Sequence, residues 1–142
     1  MSDRLTRKTL RILTASLVAL AIGAGSLASP AAAGGSVSLS IIPGSAKDAR
    51  AVQTGLALYS LFQNARGEAI VRQRGNNNEA GIGQFGRRNL GVIHQEGDGH
   101  SGQLEQHGNR NSYGLFQFGK RTRGHVVQNG HAQTGATFQF GW

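Results

Sequence analysis

Polar and apolar positions keep a fixed beat along the second half of this chain. Glutamines stand at Gln73, Gln84, Gln95, Gln106, Gln117, Gln128 and Gln139, each 11 residues after the last. Two residues before each lies Val71, Ile82, Ile93, Leu104, Leu115, Val126 or Thr137. Four before is a small residue, Ala69, Ala80, Gly91, Gly102, Gly124 or Gly135, with Tyr113 the exception. Two after each glutamine is a glycine: Gly75, Gly86, Gly97, Gly108, Gly119, Gly130 and Gly141. Five after is a polar hydrogen-bonding residue: Asn78, Asn89, His100, Asn111, Thr122 or Gln133. The unit reads N-x-A/G-x-I/V/L-x-Q, then x-G-x-x. Its named positions alternate, so in an extended strand all four point to one face. The residues after each glutamine hold a turn, as in Arg74-Gly75-Asn76-Asn77 and Glu96-Gly97-Asp98-Gly99. A fixed period of this kind governs the fold. It predicts an all-β architecture, a β-solenoid of stacked strand-turn-strand repeats, over residues 68–142.

An 11-residue period also suits a right-handed helical supercoil. That is rejected here: each unit would place at least one glycine inside a helix, at roughly 1 kcal/mol each relative to alanine, and the apolar spacing is two rather than three or four. An antiparallel meander is the stronger rival. Favouring two half-repeats, 22 residues, per rung is the spacing of Phe116-Gln117-Phe118-Gly119 and Phe138-Gln139-Phe140-Gly141, which would stack phenylalanine on phenylalanine.

In such a stack, equivalent residues lie about 4.8 Å apart. A buried glutamine costs free energy unless its amide is hydrogen-bonded. Identical glutamines at that spacing meet the requirement, each NH₂ bonding the carbonyl of the next. Asn78, Asn89 and Asn111 are expected to form ladders in the same way. The small column lets two sheets approach, and the glycines relieve the corners where a positive φ is needed. The ends of the stack carry unpaired backbone groups. The last unit runs to Trp142 without a polar cap. Phe138, Phe140 and Trp142 therefore mark either a sticky polymerisation end or a plug folded over the last rung.

The pattern Q-x-G-x-x-N-x-A-x-x-x-Q, nearly intact from Gln73 through Gly75, Asn78 and Ala80 to Gln84, resembles the curlin repeat of curli fibre subunits. The resemblance spans about residues 68–142. It implies an extracellular amyloid fibre on the bacterial surface, of the pilus or fimbrium kind, serving adhesion and the biofilm matrix. It also implies export through a dedicated outer-membrane pore, self-association, and assembly with other curli subunits. The inward glutamines and asparagines would be its stabilising ladder. Where the family has asparagine, this chain has His100, Thr122 and Gln133, and breaks there are expected to weaken the later rungs. Both a major and a nucleator subunit exist in the family. The arginine content makes nucleator behaviour plausible.

Before the repeats the pattern changes. Arg4, Arg7, Lys8 and Arg11, an apolar run over Ile12–Ile22 and Ala31-Ala32-Ala33 have the order of a secretory signal peptide, predicted to cover residues 1–33. Residues 34–67 form an N-terminal segment. Val37, Leu39 and Ile41 alternate with serines, which predicts a short strand ended by Pro43-Gly44. Asp48 to Phe62 reads either as a helix or as degenerate repeats around Gln53 and Gln63, and imperfect strands are favoured. By the resemblance this stretch would be an export-recognition segment, although no clear motif for that is present.

There is no cysteine, so disulfides do not stabilise the chain. The whole chain carries +8; from Gly34 onward eleven Lys/Arg face six Asp/Glu, about +5. The basic residues fall in turns: Arg74, Arg87, Arg88, Arg110, Lys120, Arg121 and Arg123. They suit a solvated face, a charge gate in which Arg88 and Arg110 stack and repel at low salt, or capture of anionic polysaccharide or extracellular DNA. His94, His100, His107, His125 and His131 occupy different columns and define no metal set. No nucleophile–base group stands out, so neither an enzyme nor a cofactor is expected. Against the fibre stands one rival function, a soluble monomeric solenoid that binds polysaccharide or another repetitive surface such as ice. The mixed outward column of Arg72, Gly83, His94, Glu105, Phe116, Val127 and Phe138 argues for the fibre.

Overall fold

Every 22 residues the chain returns to the same sheet, one level higher. A computed structural model describes residues 34–63 and 68–142; the signal-peptide reading of residues 1–33 lies outside them. Strands β2 (Ala69–Arg74), β4 (Leu90–Asp98), β6 (Ser112–Lys120) and β8 (Thr134–Gly141) lie in one sheet. Strands β3 (Glu79–Phe85), β5 (Ser101–His107) and β7 (Arg123–Asn129) form the other. All these pairs are parallel and in register: Gln73 faces Gln95, Gln95 faces Gln117, and Gln84 faces Gln106. The fold is thus a β-solenoid with two 11-residue half-repeats per rung, and the antiparallel meander is excluded.

Alternation decides what lies between the sheets. Ile93, Leu104 and Leu115 are fully buried there beside Gln95, Gln106 and Gln117. The small column makes this possible. A Cβ on Gly91 would come within 3.0 Å of Leu104 and 3.1 Å of Ile82, both from the opposite sheet. Small residues here leave the volume that the facing aliphatics fill, as close packing requires.

Each corner uses two left-handed positions. Glycines two after the glutamine have φ from +87° to +128° at Gly75, Gly86, Gly97, Gly108, Gly119 and Gly130. Four after it, Asn77, Arg88, Arg110, Arg121 and Ala132 have φ of 54° to 60°, and Gly99 has 72°. The second position was not legible in the sequence, because arginine and alanine are not its usual occupants. Gly141 departs from the turn assignment: it ends β8, opposite Ser36, with no turn after it.

The N-terminal segment packs against this stack. Strand β1 (Ser36–Ile41) pairs antiparallel with β8, Leu39 opposite Phe138 and Ser40 opposite Thr137. It is the predicted strand, in an unforeseen place. Residues 46–62 are a helix, α1 (Ala46–Phe62), not the imperfect strands favoured from the sequence. Ser45 caps it, its Oγ accepting from the Asp48 amide at 3.2 Å, and Asp48 sits in the first turn. The interior is rich in alanine and leucine, which lose little on entering a helix. Gln53 and Gln63 are spaced 20 and 10 residues before Gln73, out of step with the 11-residue register, so the sheets offer them no ladder position.

Helix α1 covers the outer face of the larger sheet. Leu56, with Val52 and Tyr59, packs on Ile70, Val92, Phe116, Ala136 and Phe138. Gly114 lies directly beneath: a Cβ there would be 2.6 Å from Leu56. Gly55 faces open space within the helix. Gly55→Ala is expected to raise stability by about 0.5–1 kcal/mol, read as a higher midpoint in urea denaturation.

Candidate functional site

Two continuous amide ladders run through the interior. Gln73 Nε2 donates to Gln95 Oε1 at 2.8 Å, Gln95 to Gln117 at 2.8 Å, and Gln117 to Gln139 at 2.8 Å. In the other sheet Gln84 donates to Gln106 at 2.8 Å and Gln106 to Gln128 at 2.7 Å. The second amide proton goes to a strand of the facing sheet: Gln95 to Glu79 O at 2.7 Å, Gln106 to Leu90 O at 3.1 Å, Gln117 to Ser101 O at 3.0 Å. Gln95, Gln106 and Gln117 therefore each join their rung to the next and their sheet to the other. Among the described residues no buried side-chain nitrogen or oxygen lacks a partner. All seven glutamines named from the sequence take part.

The asparagines act differently from the expectation of amide-to-amide ladders. Asn78, Asn89 and Asn111 donate Nδ2 to the turn carbonyls of Gly97, Gly108 and Gly130, one rung on, at 2.8, 3.0 and 3.0 Å. Their Oδ1 atoms accept the backbone N–H of His100, Asn111 and Gln133, each at 3.0 Å. The shorter side chain sits at the corner, where unpaired peptide groups are nearer than the next amide. These residues are corner staples.

At the positions where breaks were expected, part of this geometry is kept. His100 and Thr122 are each 1% exposed. His100 Nδ1 lies 2.8 Å from Thr122 Oγ1 and 3.3 Å from Thr122 N, and Nε2 lies 3.3 Å from Glu96 O. The tautomer protonated on Nε2 satisfies all three contacts. Gln133 donates to Asn129 O at 2.8 Å. His100 keeps the acceptor for the next N–H, but it and Gln133 donate within their own rung rather than to a turn carbonyl one rung on, as the asparagines do.

The aromatic residues assigned to a polymerisation end lie on and just after β8, the last strand of the stack. Phe138 stacks on Phe116 (centroids 4.8 Å apart) and Phe140 on Phe118 (5.3 Å), along the outer face. Trp142 exchanges backbone hydrogen bonds with Gly35 at 2.9 and 3.1 Å. Strand β8 is therefore covered by β1, and the uncapped C-terminal rung expected from the sequence is half covered. Among the described residues the edge strands are β1 and β2 in the larger sheet and β3 and β7 in the smaller.

On the covered face, Tyr59 hydrogen-bonds His94 Nδ1, and His94 Nε2 lies 3.6 Å from Glu96. Burial pushes the Tyr59 phenol up, with Arg72 opposing and Glu96 adding, so it remains a donor. These groups anchor α1. Among the described residues no cluster of His, Cys, Asp or Glu is placed to hold a metal, and no helix is long and apolar enough to cross a membrane.

Parallel strands stacked on two sheets, stapled at the corners and joined by axial amides, define the class: a structural β-solenoid repeat. Residues 68–90 and 75–108 match the family model of the curlin associated repeat, and this stretch of the chain is a curlin-family repeat region. No curated protein and no solved structure matches the chain.

Proposed function

We propose that this chain is a secreted structural subunit of curli-type fibres, polymerising outside the cell as amyloid that serves adhesion and the biofilm matrix. One observation carries this: the amide ladders reach both ends of the stack, where β2, β3 and β7 leave unpaired edges of the kind that recruit further strands. The curlin repeat supports it, and with it export through an outer-membrane pore and partnership with other curli subunits, as a major or a nucleating component. At one row of corners Arg87, Arg88 and Arg110, with Asn109 and His131, line an open groove of about 470 Å³. Such a basic row suits a linear anion such as acidic polysaccharide or extracellular DNA.

The strand over β8 favours a second function, a soluble solenoid that binds a repetitive surface as a monomer. Seeded thioflavin fluorescence of the chain from Gly34 onward, followed by fibre diffraction, separates the two. The fibre predicts a rise in signal and a reflection at about 4.8 Å along the axis. A flat trace with a monomer on sizing supports the soluble binder and sinks the fibre.

A further inference from the structure

Among the described residues the repeat strands, β2 to β8, number seven, odd on a coil that uses two per rung. The last described strand, β8, thus lies half a rung beyond the last visit to the smaller sheet. At the C-terminal end, β8 stands one level above β7, and the strand position over β7 is empty among the described residues. A groove of about 510 Å³ lies there, lined among others by Val126, Gln128, Gln133, Ile42 and Pro43.

Two ways exist to continue the stack with a second copy. If that copy keeps the same orientation, its β2 follows β8 and the position over β7 stays empty, leaving that strand's edge unpaired. If it is turned by half a turn, its β2 fills the position over β7 and its β3 follows β8. The 11-residue register then runs on without interruption. Gln128 meets the second copy's Gln73, and Gln139 meets its Gln84. The ladder direction fits. Within each chain the Nε2 donates toward the C-terminal end, so that end offers the amide protons and the first rung offers Oε1 of Gln73 and Gln84. Side chains fit too. Val71, 47% exposed, would lie on Val126, and Phe85, 61% exposed, on Phe140, 45% exposed, prolonging the Phe118–Phe140 stack.

The place that β3 of the second copy needs is the one β1 holds. We infer that β1 is an exchangeable end strand: it closes the C-terminal end of the free chain and yields to β3 of a second copy, which docks by a half-turn with its β2 over β7. This rests on the fibre reading and adds its polarity and its gate. Each junction requires one displaced β1, and successive α1 helices lie on opposite faces of the fibre. The rise is three and a half rungs, about 17 Å per copy.

The exchange can be locked. Gly35 and Trp142 form a hydrogen-bonded pair, so by antiparallel alternation Leu39 and Phe138 do as well, whereas Ser40 and Thr137 form a non-bonded pair with Cα atoms about 4.5 Å apart. That is within disulfide range, their hydroxyls are 2.9 Å apart, and the chain has no other cysteine. Ser40→Cys/Thr137→Cys is expected to elongate about tenfold or more slower when oxidised than when reduced. Oxidised monomer added in small amounts to seeds of unsubstituted chain should join once through its open first rung and stop growth. Leu39→Pro removes a β1 donor and should grow faster than the unsubstituted chain, which keeps the test valid if the disulfide does not form. Equal rates in both redox states, or an unchanged rate for Leu39→Pro, overturn the exchange while leaving the fibre standing. Failure of the reduced and unsubstituted chains to form fibres at all overturns both. Image reconstruction of the fibres should give a rotation near about 180° per copy; helices in a single row contradict the half-turn.

Discussion

A Gly108→Ala chain is expected to lose the stacked fold or to be destabilised by about 4 kcal/mol or more. Two independent effects fall on this residue. Its φ is +113°, outside the regions open to a residue with a side chain. The added Cβ would lie 1.9 Å from the Gly130 carbonyl oxygen and 2.8 Å from its carbon, both backbone atoms of the next corner. Relief requires the rungs to separate, which breaks the corner bond from Asn111 Nδ2 to the same carbonyl. Gly81→Ala is the matched control: this glycine lies in β3 with nothing near its missing Cβ, and its replacement should shift stability by no more than about 0.5 kcal/mol. Circular dichroism and urea denaturation of the two variants give the comparison.

Next in size is the loss of one ladder glutamine. Gln117 is fully buried. Gln117→Ala strands an amide proton of Gln95, the Oε1 of Gln139 and the carbonyl of Ser101. Each unpaired buried group costs about 1–3 kcal/mol, and the cavity adds to it, so a total of about 3–5 kcal/mol is expected. Gln117→Glu should do worse. It keeps the acceptor for Gln95 but replaces the donors toward Gln139 and Ser101 with an oxygen that faces oxygens, and it buries a charge. Gln103→Ala, on the exposed face of β5, should be close to neutral. A fall in the denaturation midpoint for Gln117→Ala no larger than for Gln103→Ala would show that the interior amides do not hold the rungs together.

The repeat region was legible because its physics is local and periodic. Alternation fixes which residues face inward, and the 22-residue recurrence of Phe-Gln-Phe-Gly gives the rung. What depends on a single contact was not legible. Strand β1 has an ordinary alternating pattern, and nothing in Val37, Leu39 and Ile41 says that their neighbour is β8. Helix α1 was misread because its pattern is weak and Gln53, with Gly55 two residues on, imitates a repeat. One signal was available. Ile70, Val92 and Ala136 occupy outward positions at 22-residue intervals or multiples of it, whereas the same position in the other half-repeats holds Gly81, Gln103 and His125. An outward column that is apolar on one sheet only announces that something covers that sheet. The asparagine column was placed correctly but given the wrong partner, because spacing along the chain does not reveal that a shorter side chain reaches a turn carbonyl before the next amide.

Side-chain hydrogen exchange measured by NMR on the folded monomer tests the shared dry interior most directly. The carboxamide protons of Gln95, Gln106 and Gln117 should exchange slower than those of Gln103 by about two orders of magnitude or more. Equal exchange at all four would place the ladder glutamines in water and contradict the axial amide bonding on which the stack depends.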